Sequence, residues 1–366
     1  NFSERPAGEV VTSRFLLVGS TQAYSGKSTA TLGIAQQLQA RQFRIGYGKP
    51  VGNSRITTDP VPLDADAHLA AQVLNLPPAC LAPTLVFLED WLKQPDLLPQ
   101  ATPLTGALAR YQSLTEPELI LLEAPANLHE GHLFGLGLAQ IAAGLDAGIV
   151  LVVRFQSLLL LDELLMAQEH LGERLLGVLL NAVPADQPVQ EILVPMLEQR
   201  GIPVLGVFPR SRLLRSVRVG ELAQHLQARV VCCPERMDLL VEHLSIGAMS
   251  VNAALDYFRQ GVNMVVITGS GRTDIQLAAL EASTQCLVLT GPNTPEPMVL
   301  HRAEEMEIPI LMVEMDTLTA VETIERTFEQ VRLQEPVKIQ YVQQMMAQYL
   351  DMERLLRRWG HPCPAA

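Results

Sequence analysis

The chain has 366 residues, of which 48% are hydrophobic and 18% are charged, and its formal net charge is −12. This length exceeds one typical hydrophobic core, so two domains are expected. The acidic balance disfavours a surface that binds nucleic acid. No stretch reaches the roughly 18 continuous apolar residues of a membrane span, so we expect no membrane partner.

The compartment is predicted from the first residues and from the cysteines. The chain begins without a basic region followed by an apolar one, which argues against a signal peptide. The five cysteines are scattered and show no CxxC spacing. This pattern favours a reducing compartment over a disulfide framework or a zinc site, and we expect a cytoplasmic protein.

The first informative stretch combines a strand, a loop of small residues and a helix. Phe15–Val18 is a short apolar run typical of a buried strand, and a helical pattern follows Gly26, Lys27, Ser28 and Thr29. This is the context of a P-loop, in which glycine lets the backbone approach a phosphate and lysine supplies charge to the outer phosphates. The serine hydroxyl suits Mg²⁺. The sequence therefore predicts a nucleotide site at residues 26–29.

The spacing of this loop departs from the standard P-loop. Thr21 stands where the first glycine is expected, and six residues separate Gly19 from Gly26. The flanking strand and helix still favour a P-loop over a chance Gly-Lys-Ser sequence.

Acidic and basic residues follow the next predicted elements. Arg44–Val51 reads as a second strand, with Lys49 at its carboxyl end, where open α/β sheets bind ligands. Asp64 and Asp66 precede the predicted helix His68–Leu76. They are interpreted either as N-caps of that helix or as metal-facing carboxylates, and position alone favours the cap.

Glu123 is the most informative acid. It ends the buried run Leu119–Glu123 downstream of the P-loop, where such proteins hold Mg²⁺ or its water. Further predicted elements of this half are the strands Ala147–Val153, Arg174–Asn181 and Gly201–Pro209 and the helix Leu158–Leu171. Strands that alternate with helices predict a doubly wound, mostly parallel sheet.

The second half repeats the α/β pattern on a smaller scale. The predicted strands are Val230–Cys233, Met264–Ile267, Cys286–Leu289 and Ile310–Val313, and the predicted helices are Val251–Phe258, Ile275–Ala282 and Val299–Glu307. The loop Thr268–Asp274 joins a strand to a helix and is interpreted as an anion-binding loop or a tight interface turn. Its candidate residues are Gly269, Gly271, Arg272, Thr273 and Asp274.

Apolar residues at helical spacing over Ile339–Trp359 predict a C-terminal helix. Its apolar stripe requires burial against its own domain or against a second chain. The predicted organisation is a P-loop domain at 1–221, a smaller α/β domain at 222–330 and a helical tail at 331–366.

These motifs together resemble a known combination of domains. Gly19–Thr29, Lys49–Val51, Asp66–Ala67, Glu123, Gly177–Asn181 and Gly201–Pro209 resemble the dethiobiotin synthetase-type P-loop domain. That domain also forms the N-terminal part of long bacterial phosphate acetyltransferases, where a DRTGG domain follows it. Residues Thr268–Glu281 resemble the signature region of the DRTGG domain.

The resemblance implies ATP and Mg²⁺ as ligands and assigns roles residue by residue. The implied phosphate-binding residues are Gly26, Lys27, Ser28 and Thr29, the implied Mg²⁺ ligands are Ser28, Asp66 and Glu123, the implied acceptor-facing residue is Lys49, and the implied residues near the adenine are Asn181 and Pro209. DRTGG domains resemble modules that pair, so a homodimer through residues 222–330 is expected, with a protein partner as a further expectation.

Three departures from these families shape the expected function. The loop before Gly26 is longer than in dethiobiotin synthetase, Ala124–Asn127 replaces the glycine-rich run that follows the glutamate there, and Gly271 stands where the name-giving aspartate of DRTGG would be. The chain ends before any acyltransferase domain, so phosphate acetyltransferase activity by itself is not expected. The expected function is an ATP·Mg-binding regulatory protein; the alternative is a slow ATPase or an ATP-dependent carbon–nitrogen ligase of the dethiobiotin synthetase or cobyrinate amidation type.

Overall fold

The computed structural model describes residues 13–53, 55–56, 62–94, 96, 98, 101–248, 254, 258–259, 261–330 and 335–361. The chain divides into two compact units. The first comprises residues 1–210 together with 333–366, and the second comprises residues 211–332.

The first unit is built on a seven-stranded sheet. Its strands are β1 Phe15–Ser20, β2 Ile45–Gly48, β3 Leu81–Ala82, β4 Leu119–Glu123, β5 Gly148–Arg154, β6 Leu175–Val183 and β7 Val204–Pro209. The order is β7-β6-β5-β1-β4-β2-β3, and all the pairs are parallel. The strand order reverses beside β1, and open α/β sheets bind ligands at the carboxyl ends of the strands at such a point. The expected doubly wound parallel sheet is confirmed.

Helices connect these strands and cover the sheet. They are α1 Lys27–Ala40, α2 Ala65–Val73, α3 Leu88–Leu92, α4 Ala109–Gln112, α5 Leu138–Leu145, α6 Leu160–Leu171 and α7 Val194–Gln199. The central strands are apolar throughout, and every residue of β1 is buried. Strands buried on both faces require apolar residues at every position, which is why these runs do not alternate with polar residues.

The second unit contains a five-stranded sheet and, among its described residues, five helices. Its strands are β8 Arg229–Cys232, β9 His243–Ile246, β10 Met264–Gly269, β11 Thr284–Thr290 and β12 Ile310–Val313, and its helices are α8 Arg212–Arg215, α9 Val219–His225, α10 Thr273–Leu280, α11 Pro297–Glu305 and α12 Thr317–Glu329. The strand order is β8-β12-β11-β10-β9, with β8 antiparallel to its neighbour. Strand β9 was not predicted from the sequence, and most of the predicted helix Val251–Phe258 lies outside the described residues.

The C-terminal segment contains two helices, α13 Pro336–Tyr349 and α14 Met352–Trp359, so the single helix predicted for Ile339–Trp359 is wrong. Leu350 is extended and bridges Gly206 of β7, while the Asp351 amide donates to the Leu205 carbonyl at 2.8 Å. Asp351 then caps α14, because its carboxylate accepts from the Arg354 amide at 2.9 Å. Pairing with β7 and the new cap interrupt the helical pattern.

The same segment folds with the first unit rather than as a separate tail. Helix α13 packs on α1, where a Cβ placed on Gly33 would lie 2.3 Å from the Met346 Cγ. Trp359 is fully buried. The division between the two units also falls earlier than residue 221, because Val217, Val219 and Leu222 are buried in the core of the second unit.

None of the described helices is long and apolar enough to cross a membrane.

Candidate nucleotide site

The predicted P-loop lies at the carboxyl end of β1, where Gly26 precedes α1 with φ of 91°. This left-handed conformation suits glycine. A Cβ at this position would also lie 2.3 Å from the Asn181 Nδ2, so a side chain has no room. The first turn of α1 carries no acidic residue. Its free amides and positive dipole are therefore not neutralised locally, which is the arrangement that attracts phosphate.

Glu123 links the P-loop helix to the neighbouring strands. Because β4 pairs with β1 in parallel, Glu123 stands beside Val18 at the same edge of the sheet. The Ser28 hydroxyl donates to the Glu123 Oε1 at 2.7 Å, and the Tyr47 hydroxyl donates to Oε2 at 3.1 Å. The Lys27 Nζ lies 4.0 Å from Oε1. Both oxygens of this buried carboxylate are thus held.

Lys49 is the centre of the charged cluster. Its Nζ lies 2.9 Å from the Asp64 Oδ1, 2.5 Å from the Asp66 Oδ2 and 3.9 Å from the Glu123 Oε1. The residue is only 5% exposed. The predicted sites Ser28, Lys49, Asp66 and Glu123 therefore come together around one buried ammonium.

The two interpretations of the acids at 64 and 66 apply to different residues. Asp64 is the N-cap of α2, and its Oδ1 accepts from the Asp66 amide at 3.0 Å. Its Oδ2 accepts from the Asn53 amide at 2.8 Å. Asp66 lies in the first turn of α2 and directs its carboxylate to Lys49. The cap holds Asp66 in place, and both acids contact the same cation.

The pKa values of the two lysines of the site shift in opposite directions. Burial alone would lower the pKa of Lys49, but the carboxylates of Glu123, Asp66 and Asp64 outweigh it and raise this pKa. Burial lowers the pKa of Lys27, with Glu123 opposing and Lys49 adding to the decrease. Burial, followed by the charge of Glu123, raises the pKa of the Tyr47 hydroxyl well above its usual value. Lys49 is therefore a fixed cation, and Tyr47 remains a neutral donor.

The remaining predicted nucleotide residues lie at the edge of the site. Asn181, near the end of β6, donates from Nδ2 to the Ser25 carbonyl at 2.8 Å, so its amide supports the P-loop backbone. Pro209 ends β7 and is half-buried, and Thr29 lies half-buried in the first turn of α1.

Several residues of the site were not recognised from the sequence. Tyr47 sits inside an apolar strand and looks like an ordinary core residue. Glu130 accepts from the Ala126 amide at 2.7 Å, and its charge opposes the lowering of the pKa of Lys27. Asn127 shapes this loop by accepting from the His129 and Glu130 amides, each at 2.9 Å. Asn side chains commonly accept from the backbone two residues further on, so Asn127 itself was the available signal for this turn.

The loop predicted in the second unit is also ordered. Gly269 ends β10, and Thr273 begins α10. Arg272 pairs with Asp274, Nε to Oδ1, at 3.3 Å, with both side chains well exposed. The buried Gln276 supports the loop by donating to the Gly269 and Ser270 carbonyls at 3.0 and 3.1 Å. A Cβ on Gly271 would meet only the Asn293 Nδ2, at 3.8 Å, so this glycine is not required for packing.

The donor set fits Mg²⁺ in the presence of a phosphate. Within the described ranges, no group of three or more His, Cys, Asp or Glu side chains is arranged to hold a metal. Mg²⁺, however, commonly takes one or two carboxylates and completes its shell with water and substrate phosphates. The Ser28 hydroxyl and the Glu123 carboxylate are two oxygen donors suited to this role, and the Lys49 ammonium only partly balances the three carboxylates around it.

Comparison with known families agrees with this architecture. The model of the family described as "AAA domain" matches residues 14–218, and that of the DRTGG domain matches residues 221–327. The chain belongs to this AAA-domain family and carries a DRTGG domain. Phosphate acetyltransferases from Synechocystis sp. and Escherichia coli are 28% and 23% identical to it over 93% of the chain. The expected resemblance is confirmed.

The chain spans about half the length of the curated relatives it matches, 51% and 52% for these two. Similar solved structures include a cobyrinic acid a,c-diamide synthase from Mycobacterium smegmatis with bound ATP analog and magnesium (17% identity, 54% of this chain, 85% of that chain, TM-score 0.33). Another is a structure of the CBS and DRTGG domains of the regulatory region of Clostridium perfringens pyrophosphatase (17% identity, 43% of this chain, 81% of that chain, TM-score 0.28). Because these scores are low, the fold is assigned from strand order.

The Lys49 cluster generates a prediction. Lys49→Met leaves carboxylates buried without their ammonium, and breaking a buried ion pair costs about 3–5 kcal/mol. We expect the free energy of unfolding at neutral pH to fall by this order, and Mg²⁺ without nucleotide to restore part of it by replacing the missing charge. Urea unfolding with and without Mg²⁺ measures both effects.

Lys49→Arg is the matched control, because it keeps the charge. A methionine variant as stable as the parent, or one indifferent to Mg²⁺, would contradict the account of Lys49 as the counter-ion of this cluster.

Proposed function

We propose that the first unit binds ATP with Mg²⁺ and that the bound state serves regulation through the DRTGG unit. The P-loop offers the N-terminus of α1 and Lys27 to the phosphates, and Ser28 with Glu123 would hold the metal beside them. In this role Mg²⁺ neutralises phosphate charge and fixes the phosphates against the loop.

The observation that favours nucleotide binding over catalysis is the pairing of Lys49 with carboxylates of its own chain. A ligase of the dethiobiotin synthetase type needs a cation for its acceptor carboxylate. Here the ammonium is already surrounded by Asp64, Asp66 and Glu123 within 4 Å. An acceptor would have to compete with these internal carboxylates, of which Asp64 and Glu123 are buried and hydrogen-bonded, and this competition is unfavourable.

The loop after Glu123 supports the same proposal. Ala124 and Pro125 are buried, and the Ala124 amide donates to the Val18 carbonyl at 2.9 Å. Proline supplies no amide donor, and the side chains reduce backbone approach. A transition state in this position would therefore lack preorganised donors.

The regulatory assignment draws on the relatives. The similarity to phosphate acetyltransferases extends over 93% of this chain and so covers the regions of both domains. We propose that the loop Gly269–Asp274 binds an effector or forms an interface, so that the nucleotide state is read out through it.

The alternative function is an ATP-dependent carbon–nitrogen ligase, favoured by the place of Lys49 beside the P-loop. In that case an acceptor carboxylate or carbamate takes over the ammonium, and the γ-phosphate activates it.

Nucleotide binding is tested with Lys27→Ala. Charge-assisted hydrogen bonds to phosphate are strong, so the variant should bind ATP·Mg more weakly by roughly 2–3 kcal/mol, measured by titration calorimetry. Lys93→Ala is the control, since Lys93 is an exposed lysine of the same unit that pairs with Glu89. Equal affinity of parent and Lys27→Ala would refute the phosphate role.

Turnover separates the two functions. We expect little or no multiple-turnover ADP formation with 7,8-diaminopelargonate plus bicarbonate, or with common carboxylates plus glutamine or ammonia. Robust turnover that is abolished by Lys49→Ala would replace the regulatory function with the ligase.

We also propose a homodimer through residues 222–330. Leu318 and Met298 of the second unit are 67% and 59% exposed, and pairing would bury such apolar side chains. Light scattering at micromolar concentration should give twice the chain mass, and Leu318→Glu should reduce it to a monomer. Leu159→Glu in the first unit, at a residue 77% exposed, is the control. A monomeric parent would disprove the dimer.

A further inference from the structure

Two adjacent cysteines in the second unit form a feature that nucleotide binding does not explain. Cys232 ends the edge strand β8, and Cys233 follows it directly. They are 4% and 8% exposed, and their sulfurs lie 3.3 Å apart. This pair is hereafter called the dithiol.

The backbone explains why the sulfurs meet. Successive side chains of an extended strand point to opposite faces, so neighbouring cysteines ordinarily diverge. Cys233 instead has φ 48° and ψ 56°, the left-handed conformation, which turns its side chain toward that of Cys232. This conformation is unfavourable for a residue other than glycine. Such outliers concentrate at functional sites and switch regions.

We propose that Cys232 and Cys233 are a redox modification site that closes reversibly to an intramolecular disulfide under attack by a peroxide. The contact between the sulfurs supplies the geometry for closure, and no large movement of the chain is needed to bring the two atoms together. The proposal is independent of nucleotide binding in the first unit.

The reaction proceeds in two balanced steps. The sulfur of Cys233 attacks the peroxide, the O–O bond breaks, and a sulfenic acid forms with release of one water. The Cys232 sulfur then attacks the sulfenic sulfur, the S–S bond forms, and the second water leaves. Two thiol hydrogens and two electrons pass to the peroxide overall.

The surroundings distinguish the two thiols. Cys233 is more exposed to solvent than Cys232. Burial raises the pKa of both thiols, that of Cys232 to about 12, so exposure decides which sulfur a peroxide reaches. Cys233 is therefore the sulfur that reacts first, and Cys232 resolves the intermediate.

Closure would be sensed by α11. The Cys232 Sγ lies 3.9 Å from the Leu300 carbonyl, and the Cys233 Sγ lies 3.7 Å from the Ala303 carbonyl. A disulfide has no S–H donor, so both contacts are lost on oxidation. The bond would also be readily reduced, because adjacent Cα atoms are only about 3.8 Å apart, below the usual range of disulfides. A labile bond suits reversible signalling rather than structural cross-linking.

The experiment treats the full chain with hydrogen peroxide and follows intact mass, peptide mapping and free thiols. We expect the peptide that contains both cysteines to lose two hydrogen atoms, the denatured protein to show two fewer thiols, and a reductant to reverse both changes. Hydrogen exchange of the α11 amides should accelerate in the oxidised protein.

Variants assign the roles of the two sulfurs. Cys232→Ser should trap the sulfenic acid on Cys233 as a dimedone adduct, and Cys233→Ser should consume little peroxide. Cys80→Ser, at a lone buried cysteine in the first unit, should oxidise like the parent.

Three results would overturn the proposal. In the first, the two thiols stay free in the folded protein at a peroxide dose that oxidises them in the unfolded chain. In the second, Cys233 is converted to the sulfinic acid and no disulfide forms. In the third, the disulfide forms but hydrogen exchange of the α11 amides does not change.

Discussion

The charge balance around Lys49 is the constraint on which the candidate site depends. The Lys49 ammonium, directly after β2, faces the carboxylates of Asp66 in α2, of the N-cap Asp64 and of Glu123 at the end of β4. All of these groups except Asp66 are nearly inaccessible to water. Buried charges persist only when they are paired. The cluster therefore fixes three separate segments against one another and keeps Ser28 and Glu123 beside the first turn of α1.

The C-terminal helices extend this rigidity to the other side of the first unit. Helix α13 packs on the P-loop helix α1 at Gly33. Helix α14 is held by the ion pair between Arg354 and Glu198. It is also held by Arg358, whose Nε donates to the Leu176 carbonyl at 2.6 Å. These contacts tie helix α7 and the start of β6 to a segment distant in sequence. The helix that presents amides to a phosphate is thus supported by the sheet on one side and by α13 on the other.

The second unit is also built on a sheet that is buried on both faces, but its candidate functional features differ from those of the first unit. Its strands bury apolar residues on both faces, which yields two cores with distinct members. Two candidate functional features lie at strand ends: the Gly269–Asp274 loop begins at the end of β10, and the dithiol lies at the end of β8. In both places the backbone determines the chemistry. Gln276 supports the loop, and the left-handed Cys233 brings the sulfurs together.

The sequence by itself determined the fold class and most of the site, because continuous apolar runs and a Gly-Lys-Ser at a helix start are local signals. Parallel strands place their carboxyl ends at one edge, so Ser28, Asp66 and Glu123 were expected to converge. Only the tertiary structure decided that Asp64 is the cap, that Tyr47 donates to Glu123 and that Lys49 is already neutralised. It also broke the C-terminal helix at Leu350 and assigned that segment to the first unit. These features depend on contacts between residues far apart in the chain, which periodicity and spacing do not encode.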